Sequence, residues 1–421
     1  MFATTDVVSS LPNATRAVSA TVGTVKAGRN EPRFIVMLAL MLGSQPVATD
    51  LYLPALPAIA AELGNPALTL TGLMLAFGFA QLILGPLSDR YGRRPVLLAG
   101  CAAYALTSFA SAWVTTLFWL VVCRCLQGAS MAALVVCARA SVRDLYAPTE
   151  GTRVLSRGLT GLGLVALASP LTGAITVAYF SWHATFIALG VYGLIAFAWV
   201  WFYYVESRPD IVPKDADTAN KNATMAVLRA SRFRAWTAML IATYCTLFCF
   251  LLSSGFVYIK VFAFSPLACG LVLAANSVAY ISGTYWCRHL LANRPPDKAV
   301  RLSAMFAVVG ATFMTLIAFA NGTPQSWAMI VGQCLIAISH GVNQPCGQAG
   351  AIGDFPEHAG RAAALSGFAM MVAAFVCGQL IAPSLGTSAW PLVMTNLVGS
   401  AAVALVAWVW VPRAHTRSAT A

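Results

Sequence analysis

The sequence has few charged residues for its length. Only 10% of its 421 residues are charged and 59% are hydrophobic, whereas an ordinary soluble domain has about 25% charged residues. Acidic residues are especially scarce, with 14 Asp and Glu against 26 Lys and Arg. A chain this apolar cannot stay soluble in water, so the composition excludes an ordinary soluble protein and favours a membrane protein.

Several chemical motifs are also missing, and each absence excludes a class of protein. No glycine-rich nucleotide loop with its Lys is present, which argues against transport driven by ATP. No nucleophile with its base and no His/Asp/Glu cluster indicates a membrane enzyme. The 11 Cys residues lack the paired spacing of a zinc site and are expected to pack as small apolar residues. We therefore predict no catalytic residue, no metal and no cofactor, with a proton gradient as the energy source.

Long apolar runs are what the sequence has instead. A helix of about 20 apolar residues crosses a bilayer, and twelve runs of about this length follow the polar N-terminus, which shows no removable signal peptide. A polar segment divides them into six and six. We predict an all-α membrane protein with a cytoplasmic tail over residues 1–33, a six-helix bundle over 34–205, a cytoplasmic linker over 206–235, a second six-helix bundle over 236–412 and a cytoplasmic tail over 413–421. Within the linker, residues 225–234 fit a short amphipathic helix and a plain tether equally well.

The basic residues lie almost entirely on one side of this predicted topology. Of the 26 Lys and Arg residues, only Arg124 falls within a predicted span and only Lys260 falls in a loop of the opposite side. Cytoplasmic loops carry an excess of Lys and Arg, so both termini are expected in the cytoplasm. The positive charge is thus explained by membrane topology and lipid, with no nucleic acid as partner. We expect a monomer.

One motif follows the second predicted span. The stretch GPLSDRYGRRPVLL at residues 85–98 resembles the signature that the major facilitator superfamily carries between its second and third spans. The resemblance implies two six-helix bundles and a cytoplasmic latch that holds the outward-open state. Glycine would permit close helix approach there, and Asp can accept hydrogen bonds from basic groups and from a helix N-terminus. A simple topology signal is the alternative. The latch residues are Gly85, Asp89, Arg90, Gly92, Arg93 and Arg94.

Other motifs are similar to one subfamily. DLYLPALP, which begins at Asp50, and the RCLQGAS stretch, which begins at Arg124, resemble drug:proton antiporters of the Bcr/CflA type, which include bicyclomycin and phenicol exporters. The fifth predicted span is close to the antiporter motif through Pro170 and Gly173. It departs from that motif because Ser precedes Pro170 and Ala follows Gly173, where glycine is usual.

Asp50 is the only acidic residue within a predicted span. An ionisable group at membrane depth costs about 2.5–3.5 kcal/mol at a helix centre, so it is a functional candidate by default. We hypothesise that Asp50 carries the coupled proton; a polar bond near the outer interface is the alternative. Arg124 is expected either to tune Asp50, to bind a substrate carbonyl, or to fix the packing. His340 could titrate, although an interhelical hydrogen bond is the commoner use of such a residue.

These residues predict a function. We expect proton-coupled efflux of small neutral or amphiphilic drugs, with phenicol-type antibiotics as the specific case, across the bacterial inner membrane by alternating access. Proton-coupled uptake of a small nutrient is the alternative, which the scarcity of polar groups in the spans disfavours. The residues expected to line the substrate cavity are Tyr52, Gln81, Gln127, Tyr258, Asn276, His340 and Asn343.

Overall fold

The computed structural model describes residues 31–207 and 224–414, and in these ranges the chain folds into helices joined by short connections. Twelve of the helices are long, which confirms the all-α prediction. They are α1 (Glu31–Leu63), α2 (Ala67–Tyr91), α3 (Arg93–Ala112), α4 (Leu117–Leu145), α5 (Pro148–Tyr179), α6 (Trp182–Tyr203), α7 (Ser231–Val261), α8 (Pro266–Asn293), α9 (Pro296–Ala320), α10 (Ser326–Ile352), α11 (Ala359–Ser384) and α12 (Trp390–Ala414).

Eleven of these twelve helices are long and apolar enough to cross a membrane. The exception is α10, whose 27 residues include the polar residues His340, Asn343, Gln344 and Gln348. A spanning helix can carry such polar groups when it faces protein or a cavity rather than lipid. The polar content of α10 therefore points to an interior position, and half of its residues are buried.

The predicted linker is only partly within the described ranges. Residues 224–229 form a short helix, and α7 begins at Ser231. The predicted amphipathic segment at 225–234 is therefore divided between a short helix and the start of a span. Residues 1–30, 208–223 and 415–421, which include most of both predicted tails, lie outside the described residues.

The helices pack as two similar bundles, α1–α6 and α7–α12. In the first bundle α1 packs on α5, α2 on α4, and α3 on α6; in the second α7 packs on α11, α8 on α10, and α9 on α12. The same pairs therefore recur six helices later. The bundles meet through α2 with α11 and α5 with α8, which are again equivalent helices. This pairing is the two-fold arrangement expected of a six-plus-six transporter fold.

The first helix is interrupted near its C-terminal end. α1 is α-helical to Asp50, turns through the 3-10 segment Leu53–Ala55 and resumes over Leu56–Leu63. Two prolines, Pro54 and Pro57, account for the break, because proline has no N–H to donate and its ring clashes with the preceding turn. The break leaves the carbonyl of Leu51 beside α5, in the region where the two bundles meet.

Contacts between the bundles close one side of the molecule. We call the side where α1 begins and α12 ends the termini side. On the opposite side the Asn65 amide donates to the Ala382 carbonyl at 3.0 Å, and the Gln379 amide donates to Thr71 Oγ1 at 2.6 Å. Both hydrogen bonds join α11 to the α1–α2 region of the other bundle, so this side is held shut.

Candidate substrate cavity and proton site

A central cavity of about 110 Å³ lies between the two bundles. Its walls come from α1, α2 and α4 of the first bundle and from α7, α10 and α11 of the second. It lies on the termini side of the hydrogen bond between Thr71 and Gln379. The residues that line it are Gln45, Phe77, Gln81, Val135, Arg139, Leu240, Tyr244, Gln344, Gln348, Ile352, Ala363, Ser366, Gly367, Met370 and Met371.

The cavity wall combines amide groups with apolar surface. Four of the lining side chains are glutamines, and several others are large and apolar. Gln81 Nε2 and Gln344 Oε1 are buried and have no hydrogen-bond partner among the described residues. Methionine side chains such as Met370 and Met371 adapt to ligands of different shape. A wall with unused donors and acceptors beside flexible apolar groups suits a small amphiphilic ligand.

A wider depression of about 480 Å³ lies on the opposite side of the molecule. It is lined by Glu62, Trp113 and His183 among others, and all of its lining residues belong to the first bundle. The indole of Trp182 donates to Glu62 Oε2 at 2.6 Å beside it. Because the second bundle contributes nothing to this depression, rocking of the two bundles would not alternate its access. The central cavity is the better candidate for transport.

Asp50 ends the first helical part of α1 and is partly buried. Thr49 Oγ1 donates to its Oδ1 atom at 2.7 Å. Tyr244, which lines the cavity, lies near Asp50. Among the described residues no Lys or Arg nitrogen forms an ion pair with Asp50. The carboxyl is therefore placed at the boundary of the two bundles without a fixed positive partner.

Arg124 is fully buried in α4 and is bonded within its own bundle. Its Nη2 donates to the Ala48 carbonyl at 2.7 Å, and its Nη1 donates to Gln127 Oε1 at 2.5 Å. Gln127 in turn donates to Ser108 Oγ at 2.5 Å. The network joins α4 to α1 and α3. The structure thus brings Arg124 and Gln127 together but does not pair Arg124 with Asp50.

Most of the residues predicted to line a substrate cavity lie elsewhere in this conformation. Gln81 alone among the seven lines the central cavity. Tyr52 and Gln127 belong to the Arg124 network, and Tyr258 and Asn276 are buried with one polar atom each unbonded among the described residues. The remaining two residues, His340 and Asn343, bond to neighbouring helices of their own bundle. His340 Nδ1 lies 3.0 Å from Thr243 Oγ1, and Asn343 Oδ1 accepts from Ser303 Oγ at 2.6 Å.

Arg93 of the predicted latch forms polar contacts with three side chains of the first bundle. Its guanidinium contacts Asp89 Oδ1 at 2.5 Å, Asp144 Oδ2 at 2.9 Å and Ser88 Oγ at 2.6 Å. Asp144 lies at the end of α4, so the motif connects α2, α3 and α4 within the first bundle. A Cβ added to Gly85 would meet its nearest neighbour at 4.0 Å. The close helix approach expected at Gly85 is therefore absent from this conformation.

Gly92 and the two arginines after it surround the carboxylate of Glu206. The backbone N–H groups of Arg93 and Arg94 donate to Glu206 at 2.8 and 3.0 Å. Gly92 has φ of 98°, and a Cβ there would lie 2.6 Å from Glu206 Oε2. Glu206 thus caps the N-terminus of α3, where a negative charge is favoured. Arg90 completes the motif and lies over the Tyr91 ring at 5.5 Å.

The antiporter motif lies where α5 meets both α1 and α8. A Cβ added to Gly173 would lie 2.0 Å from the Leu51 carbonyl oxygen, at the break in α1. A Cβ added to Gly270 of α8 would lie 2.5 Å from the Ala174 methyl group and 3.1 Å from the Pro170 carbonyl oxygen. The glycine that the motif lacks at position 174 is therefore matched by Gly270 on the facing helix. Both contacts depend on small residues.

Sequence reasoning missed part of the cavity wall, including Gln45, Tyr244 and Gln348. The apolar run of the fourth span ends at Ala138, but α4 continues to Leu145. Arg139 therefore lies within the helix and lines the cavity. One usable signal was the pair Gln344 and Gln348, since residues four apart share a helix face.

Among the described residues no group of three or more His, Cys, Asp or Glu side chains is arranged to hold a metal ion. Cys287 and Cys346 approach each other at 3.7 Å between their sulfur atoms, and every described Cys is free.

Two solved structures share this architecture. A D-xylose–proton symporter superposes with a TM-score of 0.68 at 13% identity, over 90% of this chain and 98% of its own. A bacterial homologue of the human lysosomal transporter Spinster, in an inward-facing and unoccupied conformation, superposes with a TM-score of 0.64 at 11% identity, over 92% and 96% of the two chains. These likenesses establish the fold alone.

Curated relatives are more similar in sequence. The chain is 25% identical to a bicyclomycin resistance protein homolog of Haemophilus influenzae, over 86% of this chain and 92% of the relative. It is 27% identical to multidrug resistance protein D of Escherichia coli, over 91% and 96%. A chloramphenicol resistance protein of Pseudomonas aeruginosa is 39% identical over 38% of this chain and 39% of its own. The resemblance inferred from the motifs is confirmed.

The match to a protein-family profile establishes the family to which the chain belongs. Residues 37–375 match the Major Facilitator Superfamily, a range that includes most of both bundles. Members of this family are multi-pass membrane transporters of small molecules rather than enzymes, as the sequence predicts. The chain belongs to the Major Facilitator Superfamily.

Proposed function

We propose that this transporter exports small neutral or amphiphilic drugs in exchange for protons, with phenicol-type antibiotics as the first compounds to test. The observation that carries the proposal is the central cavity, where amide groups lie beside apolar side chains between the two bundles. A wall of this kind favours an amphiphilic ligand over a sugar, because a sugar needs a polar partner for each of its hydroxyl groups.

Similarity to relatives supports export of drugs. Three relatives carry names that refer to resistance against bicyclomycin, chloramphenicol or several drugs. The conformation is compatible with this role, because the cavity lies on the termini side while the opposite side is closed. If the termini are cytoplasmic, as the distribution of Lys and Arg predicts, this conformation collects substrate from the cytoplasm.

Asp50 is our candidate for the proton carrier. Burial in a medium of low dielectric disfavours the charged form of a carboxyl, and no described cation is paired with Asp50 to offset this. Because Asp50 lies near Tyr244, a residue of the cavity wall, a change in its charge acts on the cavity, and protonation and substrate binding can influence each other across the bundle boundary. Neither process requires direct contact between proton and drug.

One proton is energetically sufficient for useful export. Moving one charge through 100 mV supplies about 2.3 kcal/mol, and each 1.4 kcal/mol corresponds to a tenfold ratio, so one proton sustains roughly a fifty-fold gradient of a neutral compound. We accordingly propose a monomer in the bacterial inner membrane that needs no cofactor beyond the proton gradient.

The test is accumulation of labelled chloramphenicol in efflux-deficient bacteria that express this chain. Lower accumulation than in vector controls, restored by a protonophore, supports the proposal. Asp50→Asn should raise accumulation to the vector level at equal protein abundance. A matched control is Asp297→Asn, which removes a carboxyl from a surface pair with Arg301 at 3.7 Å and should leave export unchanged. Full proton-dependent export by the Asp50 variant would exclude Asp50 as the carrier, and greater accumulation in expressing cells would favour uptake.

A further inference from the structure

Arg139 is the one basic residue among the described residues that line the central cavity, and no Asp or Glu lines it. Its side chain is exposed at the cavity, whereas the residues on either side of it, Ala138 and Ala140, are buried. The buried arginines of the same bundle are bonded: Arg93 contacts two carboxylates, and Arg124 contacts a carbonyl and an amide. Arg139 forms no ion pair among the described residues.

Two further polar groups of the same wall are unbonded. Gln81 Nε2, a donor, and Gln344 Oε1, an acceptor, are buried without a hydrogen-bond partner among the described residues. Buried polar groups in folded proteins nearly always have partners. Together with the guanidinium, these atoms give the wall more unused donors than acceptors, since a guanidinium alone has five N–H donors. The wall is thus complementary to a ligand rich in acceptor atoms.

The geometry of a guanidinium narrows the class of acceptor. Its parallel N–H groups match two oxygen atoms held on one atom, as in a carboxylate, and such paired bonds are stronger than single neutral ones. Attraction and repulsion between charges are both stronger where water is scarce. An organic cation would therefore meet the positive charge of Arg139, with no Asp or Glu among the lining residues to offset it. The apolar body of a ligand would lie against Leu240, Met370 and Met371, which complete the wall.

We propose that the cavity selects amphiphilic compounds that carry two acceptor oxygens on one atom, as in carboxylate, nitro or sulfonyl groups, and rejects organic cations. Arg139 binds the oxygen pair, and the unbonded Gln81 amide supplies a further donor. This inference rests on the proposed function, because it names the chemical class of the exported compounds. It makes Arg139 a determinant of specificity, separate from the proton site at Asp50.

The experiment measures binding to the purified full-length protein in lipid nanodiscs without a proton gradient. The probes are nalidixate, which carries a carboxylate, chloramphenicol, which carries a nitro group, and the cation tetraphenylphosphonium. We expect nalidixate and chloramphenicol to bind the natural protein at least tenfold more tightly than tetraphenylphosphonium. Arg139→Gln should weaken nalidixate binding at least tenfold, as expected from loss of a charged hydrogen bond. Arg139→Lys should give an intermediate affinity, since Lys keeps the charge but not the paired donors.

Arg153→Gln is the matched control. Arg153 is an exposed arginine near the start of α5 and is not among the lining residues, so its loss changes net charge equally without changing the cavity. Its nalidixate affinity should equal that of the natural protein.

Three results would overturn the inference: tetraphenylphosphonium binding as tightly as nalidixate, no binding of nalidixate, or unchanged nalidixate affinity in Arg139→Gln. If that variant fails to fold, the natural protein still tests the selectivity against the cation, and Arg139→Lys still tests the role of the guanidinium. Because binding is measured without a gradient, the expected selectivity together with absent proton-dependent efflux in cells would overturn the proposed function alone.

Discussion

The guanidinium carbon of Arg124 lies 4.4 Å from the centroid of the Tyr52 ring, and both side chains are fully buried. The Tyr52 hydroxyl lies 2.6 Å from Thr69 Oγ1, so the ring is fixed at both its face and its edge. A desolvated cation over an aromatic face is worth about 2 kcal/mol or more. The contact therefore ties the break in α1 to α4, two segments that carry motifs of the family.

Tyr52→Leu should destabilise the protein by about 2 kcal/mol, because it removes the ring beneath a buried cation. Tyr52→Phe keeps the ring and loses only one interhelical hydrogen bond, which averages about 0.6 kcal/mol in membrane helices. Unfolding of the purified variants in detergent, followed by circular dichroism, measures both changes. Equal stability of the Leu and Phe variants would show that the ring contact with Arg124 contributes little.

Gly173→Ala should abolish transport and lower thermal stability. The added methyl group would lie 2.0 Å from the Leu51 carbonyl oxygen, so α5 would have to move away from α1. The control is Gly163→Ala in the same helix, where the nearest neighbour of the methyl group would be Ile281 Cδ1 at 3.9 Å. Chloramphenicol accumulation and melting temperature distinguish the two variants. Normal transport by Gly173→Ala would mean that transport tolerates a separation of α5 from the break in α1.

Glu206→Ala should destabilise the first bundle by about 1 kcal/mol, since it removes the carboxylate that accepts from two N–H groups at the start of α3. Glu206→Gln should lose less, because a neutral oxygen still accepts one of these bonds. Melting temperatures in detergent give the order of the three proteins. A Gln variant as unstable as the Ala variant would assign the effect to charge alone.

The number and order of the helices could be predicted from the sequence because each span needs a long apolar run. The C-terminal end of α4 could not be predicted in this way. Arg139 and Arg143 ended the apolar run at residue 138, although the helix continues to Leu145. A basic side chain on a helix facing a cavity costs little, and apolar runs report contact with lipid rather than helix length. For this reason Arg139, which we propose determines specificity, was not among the residues predicted to line the cavity.

The latch and antiporter motifs were recognisable, but their partners were not. Arg93 contacts Asp144, which is 51 positions away, and Gly270 faces Ala174, which is 96 positions away in the other bundle. Such pairs depend on how helices meet, and local periodicity carries no information about that. An internal repeat is visible in the recurrence of the same helix pairs in both bundles. Bundle packing tolerates many apolar residues at each position.

Two polar contacts join the bundles on the closed side of the molecule. Gln379 of α11 donates to Thr71 of α2, and Asn65 donates to the Ala382 carbonyl. Alternating access requires that these bonds break when the opposite side opens. Each bond therefore stabilises the observed conformation relative to the conformation that is open on the opposite side. Removing one bond should change the ratio of the two conformations.

Gln379→Leu should shift this ratio toward the conformation that is open on the opposite side. Loss of an interhelical hydrogen bond worth about 0.6 to 1.7 kcal/mol changes the equilibrium roughly three- to eighteen-fold. Spin labels at Trp113 and Asn321 report the separation of the two bundles by double electron–electron resonance. Both residues are exposed, and each lies at the end of its bundle on the side opposite the termini. The control is Gln325→Leu, because that amide donates only within its own loop, to Thr323. We expect a larger population of long distances for Gln379→Leu alone, and identical distance distributions in the two variants would mean that this bond does not hold the side closed.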